Sequence, residues 1–325
     1  MKTVVALAAL GVVLGLVLLG AAVGRGLKQA TRPLSCNPTP PPVTRTFGDV
    51  TVHVFHTGWV SVKEAHRTLS GADATRILGI LTDQQWTEWM PVSVYAVVHP
   101  EGVWLVDAGL SEATLDFTDS ACDPGNQFVY QNLLRFQFQP SQRVDRQLQT
   151  SGISMERVRG VVFTHRHADH TDAFNDLPTT VTTYVGAGDW PAHNGALPCR
   201  WPADRTPVLV DEDGPAAGAF PHSRALTQDG RLRIVPLRGH SPGHLGVLLT
   251  GQSQDVLFAG DSSFSVEQVE SGTIAGISEG PALARRSLEW TRAQLAQRPT
   301  FLLPAHDPAS IERFGRGEVT TVSRH

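Results

Sequence analysis

The stretch THRHADHTD, residues 164–172, sets three histidines and two aspartates among nine positions. Histidine offers a neutral nitrogen and aspartate an anionic oxygen, a donor mix that suits zinc or a similar divalent ion. Within it the spacing is H-x-H-x-D-H: His165, His167, Asp169 and His170. His165 and His167 are two apart, so on extended chain they point the same way. Asp169 and His170 follow where the chain turns toward a helix, and can face a second point. Three more donors stand downstream, each after an apolar run: His240, Asp261 and His306.

These donors need a scaffold. RVRGVVFTH reads as a buried strand ending at His165, RLRIVPLRGH as one ending at His240, DVLFAGD at Asp261 and PTFLLPAH at His306. TVTTYVGAGD reads as a further strand ending near Asp189, followed by a loop, GAGDWPAH, to which the sequence assigns no role. VTVHVFHTG alternates as a strand should, and VSVYAVVHPEGVWLVDAG reads as a hairpin turning at HPEG. Helices are expected at 143–150, after His170, and at 281–297, the last opening on Pro281 with Ala284, Leu288 and Leu295 on one face. Scaffold strands carry functional groups at their ends. Scattered surface histidines would not show that placement.

HRHADH, then GHSPGH, then GD after an apolar strand, then PAHD, with VWLVDAG upstream, resembles the metallo-β-lactamase superfamily over about residues 50 to 310. The resemblance implies an α/β (α+β) fold, an αββα sandwich with metals at one edge. It implies two divalent metal ions, Zn2+ foremost and Fe, Mn or Co as alternatives. The first would take His165, His167 and His240; the second would take Asp169, His170 and His306; Asp261 would bridge them. Asp107, in VDAG, is expected to hold a ligand histidine in its tautomer, or only to form a turn. His244 is expected to orient the site or its loop, and Asp172 to cap the helix after the motif. His53, His56, His66, His99, His193, His222 and His325 have no ligand-like spacing and read as ordinary loop, surface or core residues.

Two close metals sharing a water make a hydroxide nucleophile and polarise a carbonyl or phosphoryl oxygen, so hydrolysis is the expected class. Asp169 is the expected proton carrier to the leaving group. Within the superfamily the order and spacing of LRGHSPGHLGVLL, LFAGDSSF, a helix at 281–297 and FLLPAHD are most similar to N-acyl homoserine lactonases. That group carries Tyr three residues after the bridging Asp; here Phe264 stands there and has no hydroxyl to donate. Either the substrate differs or another donor stands in. Other superfamily activities (thioesterase, arylesterase, phosphodiesterase, mononuclear iron persulfide dioxygenase) are the alternatives. A binding module without catalysis would have lost ligands, and none of the seven is lost. Two stretches rich in apolar and aromatic residues, 81–91 and 128–140, are expected to bind an acyl or other apolar group through Trp86, Trp89, Phe136 and Phe138, which read equally well as packing residues.

The whole chain has 325 residues, 41% hydrophobic, with 13 histidines and a formal net charge of −4. A mildly acidic chain with no basic patch gives no case for a nucleic-acid partner; the expected partner is a small molecule. Residues 1–24 contain an uncharged apolar run from Val4 to Val23, long enough for a bilayer core at 1.5 Å per residue. It reads as a transmembrane anchor, or else a signal segment, giving a membrane-anchored or exported protein with the periplasmic or extracellular side favoured. Its flanking charges, Lys2 against Arg25, Lys28 and Arg32, leave the orientation open. Residues 25–46 read as a Pro-rich spacer and 47–325 as the catalytic domain. Cys122 and Cys199 either pair in an oxidising compartment or stand alone.

Overall fold

Two β-sheets face each other with their apolar sides inward and helices outside both, in a computed structural model that describes residues 17–24, 37–68, 75–118, 122–191, 194–211 and 213–322. The first sheet holds β1 (Val43–Phe47), β2 (Val50–Val62), β3 (Met90–His99), β4 (Gly102–Val106), β5 (Leu134–Gln137), β6 (Val158–Val162), β7 (Thr182–Gly186) and β8 (Val208–Val210). Its order is β1-β2-β3-β4-β6-β7-β8, with β5 also on β2. The second holds β9 (Arg224–Ala225), β10 (Leu232–Pro236), β11 (Leu245–Leu249), β12 (Asp255–Gly260) and β13 (Thr300–Pro304), in the order β13-β12-β11-β10-β9. Both are mixed. The first is antiparallel through β4 and parallel from β4 to β8; the second is antiparallel except for β12 beside β13.

The layers follow from strand alternation. Val50, Val52 and Val54 of β2 point one way into the core between the sheets, against Val247 and Leu249 of β11 and Phe258 of β12. Phe55, Val94, Ala96 and Leu105 point the other way, under Val144 and Leu148 of the helix Val144–Thr150. On the far side the helix Pro281–Gln297 lays Ala284, Leu288 and Leu295 over Val235, Leu248 and Leu257. This helix and the β3–β4 hairpin, paired from Tyr95 with Val106 to His99 with Gly102, lie where the sequence places them.

Three readings change. The Pro-rich spacer ends before residue 46: β1 begins at Val43, where alternating chain pairs with β2 and Phe47 meets Phe301 and Phe314. The expected helix after His170 begins before it, at Ala168, and passes into a 3₁₀ turn, Asp172–Asp176. Asp172 is the N-cap of neither: it follows the one-turn helix as its C-cap residue, and its buried carboxylate accepts from Thr114 Oγ1 at 2.8 Å and Arg200 Nη1 at 2.7 Å. Most of the apolar run at 1–24 lies outside the described residues; 17–24 are helical, and no described helix is long and apolar enough to cross a membrane.

Cys122 and Cys199, 77 residues apart, are joined with their Cα atoms 5.2 Å apart. A bond closing a ring of that length restricts the unfolded chain, an effect of about 4 kcal/mol. The double variant Cys122→Ser/Cys199→Ser is expected to lose stability of that order in urea unfolding, and the wild type to lose the same amount under reductant.

Candidate metal centre

β6, β10, β12 and β13 all end at one edge of the sandwich, and the chain leaving each carries the donors. His165 and His167 follow β6, and Asp169 and His170 sit on the one-turn helix Ala168–Thr171. His240 follows β10, Asp261 follows β12 and His306 follows β13. The structure brings all seven together. The ligand atoms of His165, His167 and His240 lie within 4.8 Å of one another, as do those of Asp169, His170 and His306. Asp261 stands between the two sets. Its Oδ2 is 3.7 Å from His240 Nε2, while its Oδ1 is 3.3 Å from both His170 Nε2 and His306 Nε2.

The ring orientations are fixed from behind. His170 Nδ1–H donates to Asp107 Oδ2 at 2.8 Å, and His306 Nδ1–H donates to the Pro91 carbonyl at 2.8 Å. Both leave the Nε2 lone pair facing the cluster. His167 is turned the other way: its Nε2–H donates to the Asn194 carbonyl at 3.1 Å, and its Nδ1 comes 3.2 Å from His240 Nε2. Asp107 also accepts from the backbone N–H and hydroxyl of Thr164, and holds φ at +64°, a strained value for a residue with a side chain. His244 Nε2 accepts the backbone N–H of Asp261 at 3.1 Å, so it positions the aspartate from outside the cluster.

Arg166, between the two motif histidines, points away, as alternation requires. Its guanidinium lies over Trp190 at 4.7 Å and Trp201 at 4.9 Å. It also donates to the carbonyls of Asp189 and Pro191, pinning the loop after β7. That loop has a role the sequence left unassigned. Asp189 accepts from Ser241 Oγ at 2.8 Å and from the Gly243 N–H, fixing the segment that carries His240. The signal was in the glycines: a Cβ on Gly186 would lie 1.8 Å from the Gly243 carbonyl oxygen. Tyr130 was missed as well. Its hydroxyl donates to the Gly195 carbonyl and accepts the N–H of Ala168, tying the metal helix to a cavity wall.

The donor set fits metal ions. His165 Nε2, His170 Nε2 and Asp261 Oδ1 are buried with no hydrogen-bond partner among the described residues, a costly arrangement unless a cation takes them. The two sets also differ in charge. Burial first, and neighbouring histidines after it, hold His165 well below its ordinary pKa; burial likewise keeps His240 neutral despite Asp261. Burial also works against charge on His170 and His306, but the carboxylates outweigh it. Asp107, Asp261 and Asp169 hold His170 well above its ordinary value, and Asp261 with Asp169 pushes His306 up to about 10.

Beside the cluster lies a cavity of about 380 Å³ that reaches His167 and His240. Ile77, Val129, Leu134 and Ile277 form its apolar wall, with His66, Asn126, Asn194 and Glu279 among the polar groups. None of the expected substrate residues lines it. Trp86 is clamped between Arg135 at 3.6 Å and Lys63 at 4.3 Å, while Trp89 is half-buried elsewhere. Phe136 and Phe138 are buried in the apolar cluster beneath the site. Phe264 packs its ring against His306 at 5.6 Å and His240 at 6.4 Å, and lines a separate depression.

Two outcomes follow from this geometry. A Cβ on Gly195, whose φ is +80°, would fall 2.5 Å from His167 Nε2. Gly195→Ala is therefore expected to weaken zinc binding at the histidine set by roughly ten- to a hundredfold, read by competition with a chromophoric chelator. In the metal-free protein His170 and His306 carry protons that a metal must displace. Zinc filling the Asp169 set should release protons at pH 7, and its affinity should fall faster below neutral pH than that of the histidine set. Calorimetry in two buffers of different ionisation enthalpy measures this directly.

Comparison with known proteins agrees with the geometry. The family model described as "Metallo-beta-lactamase superfamily" matches residues 87–306. A "Probable metallo-hydrolase" of Mycobacterium tuberculosis is 27% identical over 227 residues, 66% of this chain and 69% of that protein. The N-acyl homoserine lactonase AttM of Agrobacterium fabrum is 24% identical over 237 residues, 69% of this chain and 85% of that protein. Among solved structures, a variant of AiiA from B. thuringiensis with N-decanoyl-L-homoserine bound at its active site superposes with a TM-score of 0.61 at 17% identity. It covers 84% of this chain and 96% of that one. The dizinc quorum-quenching lactonase AidC gives 0.56 at 14% identity, over 82% and 91% of the two chains. With a family model spanning most of its length, and seven donors converging where the two sheets end, the chain belongs to the metallo-beta-lactamase superfamily.

Proposed function

We propose that this protein is a dinuclear metal-dependent hydrolase that opens a lactone of the N-acyl homoserine type or a closely related ester. The observation that carries the reading is the Asp261 carboxylate, which turns one oxygen toward each set of donors. Two bound divalent ions, zinc foremost, would supply a hydroxide nucleophile near neutral pH and polarise the substrate carbonyl. The chain's own residues do the rest. Asp169, 3.4 Å from His306 Nε2, is the buried carboxylate placed to carry a proton to the leaving oxygen. The apolar wall of Ile77, Val129, Leu134 and Ile277 suits an acyl chain, and about 380 Å³ is within the usual range for a small-ligand site. AttM and AiiA, which share this chain's family or fold, are N-acyl homoserine lactonases or hold an acyl homoserine; those properties support the reading for this chain. The Cys122–Cys199 bond fits an exported or membrane-anchored domain working in an oxidising compartment.

The test is one preparation of residues 37–325 assayed for bound metal and for base release from lactones of increasing acyl length, with an aryl ester and a phosphodiester alongside. About two zinc-like ions with lactone turnover are expected. Turnover of the phosphodiester alone would refute the lactonase reading, and a single iron with oxygen consumption would refute hydrolysis. Asp261→Ala is expected to lose metal and activity together, since one carboxylate serves both sets.

A further inference from the structure

His66 lies on the one-turn helix Glu64–Arg67, just beyond the end of β2, far in sequence from every metal donor. It is 6% exposed, and its Nδ1 is buried with no hydrogen-bond partner among the described residues. With Nδ1 shut away from solvent and unpaired, Nε2 is the ring nitrogen left to meet a ligand. His66 lines the cavity of about 380 Å³ together with His167 and His240, one face of the metal cluster. The charges of His167, Asp261, Asp169 and His306 act on its imidazole.

The backbone around it is held in place. The His66 N–H donates to the Lys63 carbonyl at 2.9 Å, and its carbonyl accepts from the Ile277 N–H at 3.2 Å. A Cβ on Gly276 would fall 1.8 Å from the Ala65 carbonyl oxygen, so the segment after the bridging aspartate packs directly on the helix that carries His66. The ring is thus presented to the cavity from a fixed support. Burial, with His167 adding to it, keeps the imidazole neutral at pH 7, its pKa drawn down to about 4. A neutral ring has one N–H donor and one lone pair. Tyr130, the tyrosine on the cavity wall, already spends its hydroxyl on Gly195 and Ala168, and Phe264 has none to give.

We propose that His66 is a substrate-contacting residue of this site, donating a hydrogen bond to the substrate oxygen on which negative charge builds as the acyl–oxygen bond breaks. The inference rests on the hydrolase reading given above and adds to it the group that meets the substrate opposite the metals. No proton is transferred in this role; the N–H is kept, and the contact strengthens as charge develops.

The zinc-loaded protein and its His66→Phe and His66→Gln variants are compared on the same panel of lactone, aryl ester and phosphodiester. Wild-type turnover across the panel tests the lactonase reading; the ratio of variant to wild type on whichever substrate is cleaved tests His66. His66→Phe should lower kcat by roughly a hundredfold, the scale of one lost donor at a developing oxyanion, with two metals still bound and Tm unchanged. His66→Gln, which restores an N–H, should regain at least about tenfold of that loss. Unchanged kcat in His66→Phe, metal loss in step with activity, or a Gln variant no better than Phe would each overturn the proposal. If the Phe variant does not fold, His66→Ala with added imidazole replaces it: recovery of rate supports the role, and no recovery overturns it. If no panel substrate is cleaved, binding of ring-opened N-hexanoyl-homoserine is measured instead. A tenfold weaker Kd in His66→Phe supports the contact, and equal affinity overturns it.

Discussion

The structure depends on one electrostatic fact: seven metal-capable side chains meet at one edge of the sandwich, and several of their buried ligand atoms have no hydrogen-bond partner among the described residues. Six of the seven are buried, and only His167 is half open toward the cavity. Asp261 is the hinge of the arrangement, because its two oxygens serve different neighbours. A buried carboxylate would be unfavourable alone, but His306 and His170 beside it outweigh the burial and hold it ionised. The two sheets are the means of delivery. Strands that end at a common edge place donors from distant parts of the chain within 4.8 Å of one another.

Support around the cluster is as specific as the cluster itself. Asp107, itself held by Thr164, and the Pro91 carbonyl choose ring tautomers, His244 holds the Asp261 backbone, and Asp189 holds the loop of His240. These contacts set the geometry to which a metal must conform. They also explain why the β7 loop, which bears no metal donor, is packed so closely: glycine at 186 and 243 allows two backbones to touch.

Much of this was legible in the residues. The donors could be named because their types are rare together and because apolar strands ended in them, a pattern that reports both chemistry and position. The β3–β4 hairpin and the helix at 281–297 were legible through alternation and through Pro281. The substrate wall was not. Trp86, Phe136 and Phe138 look like ligand contacts by composition, yet β5 folds back on β2 and turns the phenylalanines into core. That pairing joins residues some 75 positions apart, from Trp59 with Gln137 to Val62 with Leu134, and no local pattern announces it. His66 was illegible for the same reason. It has no partner nearby in sequence, and only the packing of residues 276–277 against it brings it to the metals.

The disulfide carries one more consequence, for how the protein is assembled. The covalent ring closed by Cys122 and Cys199 contains the whole HRHADH motif, while His240, Asp261 and His306 lie outside it. Synthesis therefore delivers four donors on a segment that oxidation can seal before the other three exist. Until the bond forms, that segment carries thiols and imidazoles together, with no bridging carboxylate beside them. Joining the two cysteines removes the thiols that would otherwise compete with the imidazoles for zinc.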